Sequence, residues 1–151
     1  MKGDLIPRTD HVALHCQPKT GLEYNGVGIP VGITKDAFRA DDDGISSNWV
    51  EYDGGNFATV CLCLASVRHA RKSHGVATIN VGELIDVALD GGKEASAIHD
   101  PIELQRPNPG HSLIVGLGAA DHEILDVLAL TADVAPFTED SIAQSKAIFG
   151  R

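Results

Sequence analysis

Residues 57–73 carry side chains at the spacing of one helix face. The positions i, i+3, i+4, i+7, i+8 and i+11 are occupied by Phe57, Val60, Cys61, Leu64, Ala65 and Arg68. That periodicity is typical of an amphipathic helix. Asn56 is a suitable N-cap, and Gly75 is a suitable residue to follow the last turn. The pattern predicts a largely buried helix over residues 57–73.

Two further segments have helical patterns, and a third follows near the C-terminus. Asn80 precedes an apolar pattern over residues 82–90. A second pattern, near residues 120–134, has Asp121 as its cap and ends before Pro136. Asn and Asp are favoured N-cap residues, and proline cannot continue a helix. Residues 138–149 predict a last, short amphipathic helix.

The other apolar segments alternate with polar residues, which predicts strands near residues 11, 31, 46, 77, 98 and 113. Pro101 restricts the strand near residue 98 to an edge or a bulge. The strand and helix patterns together predict a single α+β domain over residues 1–151. We expect a mixed or antiparallel sheet covered by about three helices.

Residues 45–52 contain the only tryptophan and mix polar with apolar side chains. They lie between an acidic turn at residues 41–44 and the turn at residues 53–56. As a strand, Ile45, Ser47, Trp49 and Glu51 would share one face, and Ser46, Asn48, Val50 and Tyr52 the other. Two interpretations stay open, namely a pocket wall and a half-buried edge strand.

Charge and composition narrow the choice of partner. The chain has 151 residues, of which 43% are apolar, and a formal net charge of −9. A globular protein is therefore expected, and nucleic acid is an unlikely partner because the phosphate backbone repels an acidic surface. No segment is long and apolar enough to span a bilayer, so we expect a cytoplasmic protein without a membrane partner. Three cysteines, an odd number, favour reduced thiols.

Metal ligation is not predicted. His11 and His15 would lie about 13 Å apart along a strand, at roughly 3.3 Å per residue, which is too far for one ion. Cys61 and Cys63 do not share a helix face. We therefore predict no metal and no cofactor.

The remaining polar side chains supply candidates for acid–base or nucleophilic chemistry. The catalytic candidates are His15, Ser46, Glu51 and His111, and the candidates for ligand binding are Asn48, Trp49 and Tyr52.

Several short segments give the chain a family resemblance. These are residues 10–12 (DHV) with Cys16 and Pro18, residues 37–38 (AF), residues 46–51 (SSNWVE) and residues 110–112 (GHS). Over residues 10–117 the chain resembles a set of small uncharacterised bacterial proteins, which implies a shared fold and no particular activity. A strand histidine, the SSN strand and a later carboxylate also resemble ADP-ribosyltransferases. The chain departs from that family because it lacks a Q/E-x-E pair.

Two function classes follow. The first is a small accessory module that binds a protein or small-molecule partner, in which Phe38, Trp49 and Tyr52 form an aromatic patch and an acidic rim favours a basic partner. The second is a small transferase or hydrolase acting on a nucleotide-like substrate. It would use His15 to contact the substrate or act as an acid–base residue, Ser46 and Asn48 as positioning groups, and Glu51 as the carboxylate.

Overall fold

The computed structural model describes residues 2–18, 21–68, 73–103 and 108–149. Within these ranges the strands are β1 (His11–Cys16), β2 (Leu22–Tyr24), β3 (Pro30–Ile33), β4 (Ala40–Asp41), β5 (Gly44–Trp49), β6 (Gly75–Asn80), β7 (Ser96–His99), β8 (His111–Val115) and β9 (Asp133–Pro136). The helices are α1 (Phe57–Arg68), α2 (Val81–Asp90), α3 (His122–Thr131) and α4 (Glu139–Phe149). None of these helices has the length and apolar character needed to cross a membrane.

The main sheet has seven strands in the order β7-β8-β5-β1-β6-β9, with β4 paired to β5. Its pairings are all antiparallel in the described part of the chain, which confirms the predicted α+β class. β1 lies in the middle, where Ala13 is opposite Asn48 of β5 and Thr78 of β6. On the other side of β5, Asn48 is opposite His111 of β8.

The two faces of the sheet bury separate apolar clusters. Along β1, Val12 and Leu14 belong to the larger cluster, whereas Ala13 between them belongs to the smaller one, as strand alternation requires. The larger cluster is covered by α2 and α3, and its fully buried side chains include Ile45, Ile79, Leu84, Ile114 and Leu128. Each such side chain contributes roughly 1.5–3 kcal/mol of burial free energy. The smaller cluster is covered by α1 and α4, through Val60, Cys61, Leu64 and Ile142.

The strand predicted near residue 31 does not belong to the main sheet. β3 pairs only with β2 in a separate two-stranded sheet. Asn25 shapes the turn between them, because its side-chain oxygen accepts from the N–H groups of Val27 and Ile29, at 3.0 Å each. Val31 is 54% exposed. Leu22 and Ile33 of this hairpin are nevertheless buried in the larger apolar cluster.

Another strand takes an edge of the main sheet. The helix predicted near residues 120–134 was expected to include residues 133 and 134, but α3 ends at Thr131 and Ala132 is extended. Asp133–Pro136 then pairs with β6 as β9. The prediction failed because this strand is short and mostly exposed, and its proline is tolerated at a sheet edge.

The first and last helices differ in part from the prediction. α1 extends to Arg68, residues 69–72 lie outside the described ranges, and Ser73 is in a turn, so the predicted end at residue 73 is wrong. The short C-terminal helix is confirmed as α4. It brings the number of helices in the described chain to four.

The strand predicted over residues 45–52 stops at Trp49. The 3-10 helix Val50–Asp53 follows and ends at Gly54, whose φ of 75° is the left-handed conformation that glycine adopts readily. Ser46 and Asn48 do share a strand face. Glu51 and Tyr52 do not continue the alternation, because the backbone has turned away from the sheet.

Candidate active site

A cleft of about 430 Å³ opens on the face of the sheet that α1 and α4 cover. Ser46 and Asn48 alternate onto this face from β5, and the pairing of β5 with β8 places Leu113 beside Ser46 and His111 beside Asn48. Leu64 of α1 lines the cleft as well. The volume lies within the range of small-molecule sites. The cleft therefore occupies the part of this face next to α1.

His111 is held in one tautomer by its neighbour on the adjacent connection. Its Nδ1 lies 2.9 Å from the backbone carbonyl oxygen of Asp100 and 3.2 Å from the Asp100 carboxylate oxygen Oδ2. A carbonyl oxygen can only accept, so Nδ1 carries the proton and the neutral ring has its lone pair at Nε2. His111 is 9% exposed, and its Nε2 has no protein partner among the described residues. A buried imidazole thus offers an available base to the cleft.

Asn48 and Asn108 form a reciprocal amide pair in the cleft wall. Asn48 Nδ2 donates to Asn108 Oδ1 at 2.7 Å, and Asn108 Nδ2 donates to Asn48 Oδ1 at 3.0 Å. Both side chains are 2% exposed. Each amide has two N–H donors and two lone pairs, so each keeps one of each after the pair forms. The pair can therefore position a polar ligand.

Ser46 presents a hydroxyl without a partner in the described chain. Its side chain is partly exposed and lines the cleft. The adjacent Ser47 contrasts with it, because Ser47 Oγ lies 2.7 Å from Ser112 Oγ and 3.3 Å from the Ser112 carbonyl oxygen in a buried pair. The hydroxyl of Ser46 is thus available to a ligand, whereas the hydroxyl of Ser47 is engaged in the contact with Ser112.

His15 also lines the cleft, but its ring is engaged in packing. Its Nε2 lies 2.9 Å from Nδ1 of His74, and its ring contacts Phe137 edge-on with 5.3 Å between centroids. These contacts fix the ring against the smaller apolar cluster. His111 is consequently the better placed of the two histidines to accept a proton from a ligand.

The charged side chains of the cleft give it a negative balance. Among the lining residues that the structure describes, Asp41, Asp43 and Asp100 supply three carboxylates, and Arg39 supplies one guanidinium. Carboxylates in a cleft attract cations and repel anions. The lining therefore favours a neutral or cationic ligand.

Glu51 lies outside this lining, although it was a catalytic candidate. Its Oε1 accepts from the backbone N–H of His11 at 2.7 Å, and its Oε2 lies 2.6 Å from the His11 ring Nδ1. The 3-10 helix that ends β5 carries Glu51 to the start of β1. The structure thus places it with His11 and not with Ser46 or His111.

The aromatic candidates also lie apart from the cleft lining. Trp49 donates through Nε1 to Asp10 at 2.8 Å, and its ring packs against Tyr52 and His99. Tyr52 is 39% exposed. Phe38 is only 4% exposed and belongs to the larger apolar cluster. The prediction that it forms a surface patch with Trp49 and Tyr52 is therefore wrong for Phe38.

The structure brings together four of the seven sequence-predicted site residues, namely His15, Ser46, Asn48 and His111. Asp100 and Asn108 complete the polar wall and were missed, because both lie in connections between strands. The turn-forming residues at 107–110, directly before His111, were the available signal. Among the described residues, no three side chains of His, Cys, Asp or Glu are grouped to hold a metal ion.

No family model, no curated protein and no solved structure matches the chain. Its function is accordingly argued from the chemistry of the cleft.

Proposed function

We propose that the chain is a small-molecule enzyme of the hydrolase or transferase class, with His111 as the general acid–base group. The observation that carries this proposal is the contact between His111 Nδ1 and Asp100. This contact leaves the lone pair of the neutral ring on Nε2, and His111 itself is nearly buried. General bases need that combination of a fixed ring and an accessible nitrogen.

The neighbouring groups support a catalytic cycle of proton transfer. When Nε2 accepts a proton from a hydroxyl or a water, the imidazolium is stabilised by the Asp100 carboxylate, 3.2 Å from Nδ1. Nε2 can then return the proton to a leaving group. Asp100 thus orients the ring in its neutral form and stabilises it in its charged form.

The charge of the lining modifies the substrate expected from the sequence. A nucleotide-like substrate would bring phosphates to a cleft whose described lining has three carboxylates and one guanidinium. Like charges at close range oppose binding. We therefore propose a neutral or cationic substrate in place of a nucleotide.

A second candidate is an accessory module that binds a ligand in the same cleft without converting it. The reciprocal pair of Asn48 and Asn108 favours it, because buried amides with spare donors and acceptors recognise polar ligands. The aromatic surface considered from sequence is less well supported, since Phe38 is buried and Trp49 is bound to Asp10.

The test is hydrolysis of neutral and cationic p-nitrophenyl esters by the full chain. We compare wild type with His111→Gln, which retains a donor for the Asp100 carbonyl, and with His122→Gln as the matched control at an exposed position. Loss of the base should lower the rate roughly 10²- to 10⁴-fold, whereas the control should match wild type.

Two results would contradict the enzyme. One is equal activity of wild type and His111→Gln. The other is hydrolysis no faster than in buffer alone. In that case, saturable binding of p-nitroacetanilide at the cleft, observed by NMR, would favour the binding module.

A further inference from the structure

We propose that Ser46 is a nucleophile, that His111 is its base, and that the cleft transfers acyl groups from esters lacking an anionic group. This inference rests on the proposed function and specifies its chemistry. It assigns a covalent step to Ser46 and an electrostatic one to Asn48.

The strand register places Ser46 diagonally across from His111. Ser46 is opposite Leu113, and His111 lies two residues before Leu113 in β8, on the same face. Diagonal neighbours on an antiparallel pair are about 7–8 Å apart at the backbone, within reach of a long side chain. The His111 ring extends from its strand with Nε2 at its far end. An available hydroxyl and an available lone pair thus share one wall of the cleft.

The same wall contains the third member of a Ser–His–Asp arrangement. Asp100 fixes His111 from the side opposite Nε2, through Nδ1. Such an arrangement is recognised by geometry and roles and not by order in the chain. Here the order along the sequence is Ser46, Asp100, His111.

The covalent step balances without any further reagent. Ser46 Oγ attacks the carbonyl carbon of the ester and its proton passes to His111 Nε2. The tetrahedral intermediate then expels the alcohol, which leaves with that proton, and an acyl ester remains on Ser46. A water molecule attacks this ester, gives a proton to Nε2, and releases the carboxylic acid as the proton returns to Ser46 Oγ.

Asn48 is the group suited to stabilise the negative oxygen of the intermediate. It lies on the same strand face as Ser46, two residues away, and it has one N–H left after bonding to Asn108. The bond to Asn108 fixes the amide before the reaction begins. Preorganised donors of this kind are worth about 10²- to 10³-fold in rate.

The rim selects the substrate. Asp41 ends β4 and Asp43 lies in the turn before β5, and both residues line the cleft that contains Ser46. An ester with a cationic acyl group gains attraction from them, whereas an anionic acyl group is repelled. The substrate class is therefore a compact neutral or cationic acyl ester.

A fluorophosphonate tests the nucleophile, because it phosphonylates an activated serine and needs no knowledge of the natural ester. The full chain is labelled and digested with trypsin, and the labelled residue is located by fragment-ion mass spectrometry. We expect the label on Ser46 and not on the adjacent Ser47, whose hydroxyl is bonded to Ser112. Labelling should be lost in Ser46→Ala and fall at least 10²-fold in His111→Gln.

Ester hydrolysis separates failure of this inference from failure of the proposed function. If Ser46→Ala hydrolyses p-nitrophenyl acetate as fast as wild type while His111→Gln does not, His111 activates water directly and the nucleophile is overturned. If neither variant differs from wild type, both proposals fail. A label on Ser47, or none on wild type, would also overturn the inference.

The substrate class is tested with p-nitrophenyl esters of betaine and of succinic acid, which are cationic and anionic in the acyl group. We expect a higher kcat/KM for the betaine ester than for the succinate ester. We expect Asp43→Asn to reduce this preference, measured as the kcat/KM of the betaine ester divided by that of the succinate ester. A preference for the succinate ester would overturn the assigned substrate class.

Discussion

Glu51 holds His11 at two points, through the backbone N–H at 2.7 Å and the ring Nδ1 at 2.6 Å. Glu51 lies in the 3-10 helix after β5, and His11 begins β1, so the carboxylate links the ends of two paired strands. Trp49 makes a second link of the same kind, since its Nε1 donates to Asp10. The end of this segment, at Trp49 and Glu51, therefore fastens the start of β1, whereas Ser46 and Asn48 of the same segment line the cleft.

Replacing Glu51 should consequently affect stability. Glu51→Gln removes the charge and turns one acceptor into a donor, and we expect the free energy of unfolding to fall by about 1–3 kcal/mol, as when hydrogen bonds to charged groups are lost. Urea unfolding measures the change. Glu94→Gln, at an exposed position, is the matched control and should be neutral. A loss of ester hydrolysis with unchanged stability would instead return Glu51 to a catalytic role.

The Asn48–Asn108 pair should show strong energetic coupling. Asn48→Ala leaves the amide of Asn108 buried without its partner, and the reverse holds for Asn108→Ala. Each single variant should lose roughly 1–3 kcal/mol of stability. The double variant should lose less than the sum of the two, which a double-mutant cycle from urea unfolding detects. Additive losses would show that the amides do not depend on each other.

The buried thiols predict a loss of stability at high pH. Burial raises the pKa of Cys16 and of Cys61 from 9.0 to about 11 in each case. Because the folded pKa lies above the unfolded one, this contribution is complete below about pH 9 and is lost as the pH rises to about 11. It amounts to roughly 2–3 kcal/mol per thiol.

The double variant Cys16→Ala/Cys61→Ala isolates this effect from the titration of other groups. Unfolding free energies of the variant and of wild type should converge between pH 9 and about pH 11, since only wild type loses the thiol contribution. If the unfolding free energies of the variant and of wild type changed equally with pH in that window, the thiol contribution would be refuted.

The sequence predicted the elements whose signals are local. Asn80 was expected to cap a helix, and its Oδ1 accepts from the Glu83 N–H at 2.9 Å at the start of α2. Strand alternation also placed Ser46 and Asn48 on one face. β9 was missed because Asp133–Pro136 is stabilised by pairing with β6, a contact between distant residues that no local pattern encodes.

The candidate site was predictable only in part. Ser46 and His111 come from strands whose pairing an α+β sheet allows, but the register that makes them neighbours is a tertiary property. Asp100 and Asn108 lie in connections, where side-chain chemistry gives no sign of what the loop will contact. Glu51 was misplaced because the predicted strand continued to Tyr52, whereas the backbone forms a 3-10 helix over Val50–Asp53.

The most direct test of the central claim is the tautomer of His111, measured by ¹⁵N NMR of its imidazole ring with His111→Gln for assignment. We predict that the neutral ring carries its proton on Nδ1, bonded to the Asp100 carbonyl, and that the Nε2 resonance shifts when p-nitroacetanilide occupies the cleft. A neutral ring protonated on Nε2, or an Nε2 resonance indifferent to the ligand, would contradict the assignment of His111 as the base of this cleft.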